Sequence, residues 1–170
     1  MKIEATDRTP AITLSHDPLK LVMVGESFPE DVSAFYGEVI TAINQLASSA
    51  KGKLDVELAL VYINSSSIKA MYRIFEGIDT YRQAGNEVQV VWKAEEDDDI
   101  MQELGEDFKD RFQALSFSVV KTSWKNTEIC HEIYALETYL IHLNHIVDLT
   151  WWIKWKKSQR LEGQLNPPSW

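Results

Sequence analysis

The chain has 170 residues, 45% of them apolar and 25% charged, with a formal net charge of −9. That is enough apolar material for one ordinary domain plus an appendage, and the acidic balance argues against nucleic acid or an anionic membrane surface as a partner. The lone cysteine, Cys130, excludes an intrachain disulfide framework and any CxxC metal or redox motif, which suits a reducing, cytoplasmic setting.

At the start, MKIEATDRTPAITL lacks a basic stretch followed by an apolar core, so no secretory signal is expected. PAITLS and LKLVMVGES are short apolar runs on either side of HDP, and predict a β-hairpin. The next stretch, SFPEDVSAFYGEVITAINQLASSAKGK, predicts a helix. Ser27 is its expected cap, Pro29 falls in the first turn, and Glu30 and Asp31 lie near the positive end. Val32, Phe35, Val39, Ile43 and Leu46 supply its apolar stripe, and Gly52 ends it. DVELALVYI is apolar and partly β-branched, as a buried strand should be.

The run then stops at Asn64, and Ser65, Ser66 and Ser67 follow in a row. Ile68, Met71, Phe75, Ile78 and Tyr81 step by threes and fours into a second helix that Gly85-Asn86 closes. EVQVVW predicts a strand, DDDIMQELGEDFKDRF a third helix and LSFSVVKTS a last strand. The order is that of an α/β fold, with a right-handed parallel crossover expected from Leu58 to Trp92.

From Asn126 the pattern changes. Ile129, Ile133, Leu136, Leu140, Leu143, Val147 and Thr150 keep a heptad spacing. With Asn126 or Thr127 as cap, one long helix is expected out to WWIKWKKSQR, followed by the loose end GQLNPPSW. His142, Asn144, His145 and Asp148 interrupt its most apolar part, so no membrane span is expected. Its stripe needs a cover. Packing on its own domain comes first, a homodimer through residues 129–154 second, and contact of the Trp- and Lys-rich end with a membrane surface third.

Three readings compete for the serines. Ser and Asn side-chain oxygens satisfy N–H groups that a first helical turn leaves free, so the run can be a cap and nothing more. The same positive helix end accepts a phosphate, which makes an exposed hydroxyl there a good kinase target. A nucleophilic serine would need the GxSxG elbow, which is missing, and a general base.

INSSSIKAMYRIFEGIDTYRQAGNEVQVVW resembles the strand-to-helix corner of STAS domains, the anti-sigma-factor antagonists, where a serine or threonine is phosphorylated. Together TPAITL, GESFPEDVSAFYGEVI, YINSSSIKAMYRIF and DDDIMQELGEDF resemble the SiaC family of bacterial regulatory phosphoproteins, over about residues 6 to 121. The resemblance implies a STAS-like α/β fold, a mixed sheet of about four to five strands covered by helices; the long C-terminal helix expected from the heptad spacing departs from the family's short form. With the heptad pattern, on which the resemblance is silent, the expected division is a regulatory domain (residues 1–124), a C-terminal amphipathic helical extension (125–162) and a loose tail (163–170).

It further implies a non-enzymatic partner switch without cofactors. The unphosphorylated form would bind and activate a diguanylate cyclase, raising cyclic di-GMP and so controlling biofilm and aggregation. A cognate protein kinase would phosphorylate the corner hydroxyl and a PP2C-type phosphatase would remove the phosphate. The family's acceptor follows the asparagine, which here is Ser65, a serine where a threonine is familiar. Ser66 and Ser67 are secondary candidates, and Asn64, Lys69 and Arg73 are candidate kinase or partner contacts.

Two alternatives stand beside this. Glu95 to Asp99, with Glu103, Glu106 and Asp107, could serve a metal-dependent enzyme, although the spacing is not that of an EF-hand and acids before a helix also stabilise its start. His142 and His145, with Cys130 and His131, make a weak zinc signal. The late helix could instead make the chain a scaffold or dimerisation module.

Overall fold

The computed structural model describes residues 1–49 and 51–123. The expected C-terminal helix, its dimerisation stripe, Cys130, and the late histidines lie outside the described residues.

The described chain runs β1 (Lys2–Ile3), β2 (Ala11–His16), β3 (Leu19–Ser27), α1 (Val32–Ser49), β4 (Lys53–Ile63), α2 (Ser65–Gln83), β5 (Glu87–Glu95), α3 (Asp99–Arg111) and β6 (Ser116–Thr122). The strands form a mixed six-stranded sheet in sequential order. β1, β2 and β3 pair antiparallel, and β3 through β6 pair parallel. The two-residue β1 adds a strand to those legible in the sequence; it is too short to leave a period-two pattern.

Register explains the core. Ile12, Met23, Leu58, Trp92 and Val119 lie in one row across the sheet, and Leu14, Leu21, Val56, Val90 and Phe117 in the next. Side chains paired across strands share a face, and the residues of these rows on β2 to β5 are buried. Against this face pack Val39, Ile43 and Leu46 of α1, Met71, Phe75 and Ile78 of α2, and Met101 and Phe108 of α3. Each such side chain contributes about 1.5–3 kcal/mol on burial. On the other face Glu57 sits between Lys20 (3.1 Å) and Lys93, both of which donate to it. Burial alone would raise its pKa, but the two ammonium groups outweigh that and hold it at about 2.

The start of α1 differs from the sequence expectation. Ser27 is not its cap: it ends β3, fully buried, with its hydroxyl 2.6 Å from Tyr36 Oη. Asp31 caps the helix instead, Oδ1 accepting from Ala34 N–H at 2.9 Å. A cap must sit immediately before the first helical residue, and the chain between Ser27 and Asp31 is used in turning off the sheet. The same burial pushes the Tyr36 pKa up to about 12, against a smaller opposite effect of the Ser27 hydrogen bond.

The tightest need for glycine in the helix layer is on α3. A Cβ on Gly105 of α3 would stand 2.5 Å from Trp92 Cδ1. The indole cannot move away, because its Nε1–H donates to Met101 O at 2.9 Å and Phe108 stacks beside it at 5.5 Å.

Candidate functional site

The candidate corner is the junction of β4 and α2. β4 leaves the sheet at Ile63, and Asn64 turns the chain at φ −86° and ψ 163°, an extended conformation. Its backbone N–H donates to Ser27 O at 3.0 Å, which ties the turn to the end of β3. Its side-chain Oδ1 accepts from Ser67 N–H at 2.8 Å, so Asn64 is the cap of α2. None of the serines has that role. Ser65, Ser66 and Ser67 are the first three helical residues, and their hydroxyls are not needed to start the helix.

The three hydroxyls then differ by helical geometry alone. Ser65 and Ser66 are exposed, whereas Ser67 is 0% exposed. Its Oγ has no hydrogen-bond partner among the described residues. A kinase reaching Ser67 would have to open the first turn of α2, so the accessible acceptors are Ser65 and Ser66. The first turn of α2 contains no acidic residue, so the positive helix end is not yet compensated by a side-chain charge. Lys69 and Arg73, one and two turns further on, are exposed, and neither has an ion pair among the described residues.

The sheet places a second feature beside the corner. Val61, Tyr62 and Ile63 of β4, Ile68 of α2, and Ile100, Met101 and Leu104 of α3 line an open groove of about 380 Å³. Ile100 is 78% exposed, Tyr62 51% and Val61 46%, which is unusual for side chains of this size. Asp98, Glu103 and Asp107 form its acidic wall. Tyr62 continues the apolar surface the other way, its ring edge-on to Phe28 at 5.5 Å, with Arg8 lying over Phe28 at 5.7 Å. Sequence reasoning missed Val61, Tyr62 and Ile100. The signal was an apolar residue at the first turn of an otherwise acidic helix.

The acidic stretch Glu95–Asp99 is used structurally. Asp98 Oδ1 caps α3 by accepting from Met101 N–H at 3.0 Å, and Gln102 Nε2 donates to Glu95 O and Glu96 O. Among the described residues no three His, Cys, Asp or Glu side chains converge into a metal donor set. The described histidine, His16, ends β2 on the surface, at the other end of the sheet from Ser65, Ser66 and Ser67.

Comparison with known proteins bears on the family and the fold. The family model described as "SiaC family regulatory phosphoprotein" matches residues 3–122. An uncharacterised protein of Pseudomonas aeruginosa strain UCBPP-PA14 is 32% identical over 110 residues, covering 65% of this chain and 87% of that protein. Among solved structures, SiaC bound to the diguanylate cyclase SiaD, both from Pseudomonas aeruginosa, is described as a cyclase in complex with its activator. Its matching chain is 30% identical, with a TM-score of 0.64, covering 71% of this chain and 97% of that one. Apo-SiaC of the same organism is 31% identical, with a TM-score of 0.62, over 72% of this chain and 98% of that one. The chain belongs to the SiaC family of regulatory phosphoproteins.

Proposed function

We propose that this SiaC-family protein is a phosphorylation-controlled partner switch. Unphosphorylated, it binds and activates a diguanylate cyclase and so raises cyclic di-GMP, with biofilm and aggregation as the behaviour controlled. A cognate kinase phosphorylates Ser65 and turns binding off; a PP2C-type phosphatase restores it. The protein itself catalyses nothing and needs no cofactor. It works in the cytoplasm, where the cyclase draws on GTP. Residues 1–124 carry the switch, and the extension at 125–162 is an accessory, with a homodimer through 129–154 as its further role.

The observation that carries this reading is the corner itself: an exposed hydroxyl at Ser65, on a helix start free of acidic side chains, beside an apolar groove. A phosphoryl group there adds about −1.5 to −2 charges without unfolding the helix, because the helix end favours negative charge. It also places a strongly hydrated group at the rim of a surface that a partner must desolvate. Cyclase activation is supported by the related complex of SiaC with SiaD. Asn64 sets the corner's geometry, and Lys69 and Arg73 are the contacts for kinase or cyclase.

Phosphopeptide mapping after incubation with the cognate kinase tests the site; phosphate confined to residues outside 65–67 removes it. Pull-downs with Ser65→Ala and Ser65→Asp protein, read by mass spectrometry and by cyclic di-GMP production, test the switch. Ser65→Ala should retain the cyclase and Ser65→Asp should lose it, and equal capture by both would refute the charge mechanism. Truncation after Thr122 should leave activation intact if the extension is accessory.

A further inference from the structure

We infer that Ser27 and Tyr36 are positioning residues for the kinase acceptor. Their buried hydroxyl pair holds the register in which β4 hands the chain to α2, and so fixes where the Ser65 hydroxyl stands. This rests on the reading of Ser65 as the acceptor, and names what presents it.

The ladder between β3 and β4 is interrupted just before the corner. Pairing runs in step from Lys20↔Asp55 to Gly25↔Leu60 and resumes at Glu26↔Tyr62, which leaves Val61 as an extra residue. Gly25 takes φ +114° at this bulge. The parity of β4 changes across it. Leu54, Val56, Leu58 and Leu60 are buried ahead of the bulge, Val61 and Tyr62 are both exposed, and Ile63 is buried beyond it. A strand slipped by one residue presents its opposite face, so the bulge decides how Asn64 and the first turn of α2 leave the sheet.

Beyond the bulge the register rests on two rungs, Glu26↔Tyr62 and Ser27↔Ile63. Ser27 holds the last of them from two sides. Its carbonyl accepts from Asn64 N–H at 3.0 Å, and its hydroxyl stands 2.6 Å from Tyr36 Oη on α1. Both residues are 0% exposed, and the Tyr36 ring is itself edge-on to Phe35 at 4.8 Å. A relay therefore runs from α1 through the end of β3 to Asn64, and on through Asn64 Oδ1 to Ser67 N–H at 2.8 Å. The pair adds little net stability, because two buried hydroxyls that satisfy each other are close to neutral against an apolar pair of the same shape. What it adds is direction, since a hydrogen bond has a preferred geometry that apolar contact lacks.

Amide hydrogen exchange on the full-length protein tests this, with Tyr81→Phe as the control. That change also removes one tyrosine hydroxyl, but one that donates to Gly52 O at 3.1 Å, at the far end of α2. A merely stabilising role predicts that Tyr36→Phe and Tyr81→Phe speed exchange alike. The inference predicts that Tyr36→Phe and Ser27→Ala each speed the Asn64 and Ser67 amides about tenfold, as loss of one hydrogen bond's restraint should, and that Tyr81→Phe does not. Ser27→Ala combined with Tyr36→Phe should recover most of the unfolding stability lost by Tyr36→Phe alone, while exchange at Asn64 and Ser67 stays fast. Phosphopeptide mapping with the cognate kinase then reads the acceptor. Tyr36→Phe should lower the ratio of Ser65 to Ser66 phosphate about tenfold, because the next hydroxyl is only about 100° round the helix and acceptor geometry sets the rate. Tyr81→Phe should leave that ratio unchanged. Unchanged Asn64 and Ser67 exchange in Tyr36→Phe, equal quickening by Tyr81→Phe, or an unchanged Ser65 to Ser66 ratio in Tyr36→Phe would each overturn it. Unchanged exchange with phosphate on Ser65 discards the positioning pair and keeps the switch. Local quickening with no kinase phosphate on residues 65–67 discards the Ser65 reading, and the pair's role with it.

Discussion

β4 and β5 run parallel, so the corners at Asn64 and at Asp98 open at the same end of the sheet. Both are capped in the same way, a side-chain oxygen accepting from the N–H three residues on, at 2.8 Å from Ser67 and 3.0 Å from Met101. Beyond the cap they diverge. α3 starts with Asp99 in its first turn, preceded by Glu95, Glu96 and Asp97, so its positive end is already compensated. α2 starts with three serines and no acid. Capping physics is common to both, and charge compensation is present at one. A helix start that the sequence has left uncharged is where an added phosphate changes most, and the neighbouring acidic start is the reference against which that change is measured.

The largest effect should come from placing charge at the wrong serine. Ser67→Asp buries a carboxylate where Ser67 is now fully enclosed, and should cost roughly 3 kcal/mol or more in denaturant unfolding. Ser65→Asp and Ser66→Asp should fold normally, and Ser67→Ala should be neutral or slightly stabilising because the lost hydroxyl has no partner among the described residues. Equal stability of all three Asp variants would break the distinction drawn within the corner.

At the α3 corner, Gly105→Ala should cost about 1–3 kcal/mol by urea titration, since the new methyl meets the pinned Trp92 ring. A quenched or shifted Trp92 fluorescence should accompany it. Removing the caps should make the two corners look alike: Asn64→Ala and Asp98→Ala should each lose about 1 kcal/mol. A much larger loss at Asn64 would point to its backbone tie to Ser27 as the dominant restraint.

The smallest effect is the sharpest test of the comparison. Ser65→Asp should stabilise by about 0.3–1 kcal/mol, and Asp99→Ser should destabilise by a similar amount, measured in low salt where the helix-end field is least screened. The Ser65→Asp gain should vanish below about pH 4, where the introduced carboxyl is protonated. If Ser65→Asp is silent while Asp99→Ser is not, the α2 start is compensated by something beyond its own first turn.

Much of this was legible beforehand for physical reasons. The stripe of α2 is periodic and long, and Gly85 sits where the chain needs φ +90°, so the course and the end of that helix could be read. The corner hydroxyl could be read because strand, break and helix are contiguous in sequence. Other assignments depended on a competitor that the sequence does not rank. Asn64 and the serines are all good caps, and the structure chose Asn64 because it alone immediately precedes the helix while remaining extended. Ser27 lost its capping role to Asp31 because β3 extends through it and buries it beside Tyr36. The acidic run suggested metal chemistry, but its members divide between capping α3, anchoring Gln102 and facing solvent.

By itself the sequence determined the alternation of strands and helices, the family and the strand-to-helix corner that carries the three hydroxyls, because period, punctuation and motif spelling are local properties of the chain. The tertiary structure decided which of the three serines are exposed, because two residues of helix separate Ser65 from Ser67 by burial rather than by chemistry. It also decided that Tyr62 and Ile100, 38 positions apart in the numbering, share one groove. Only the parallel pairing of β4 with β5 brings the ends of those strands, and the helices that start there, to the same edge.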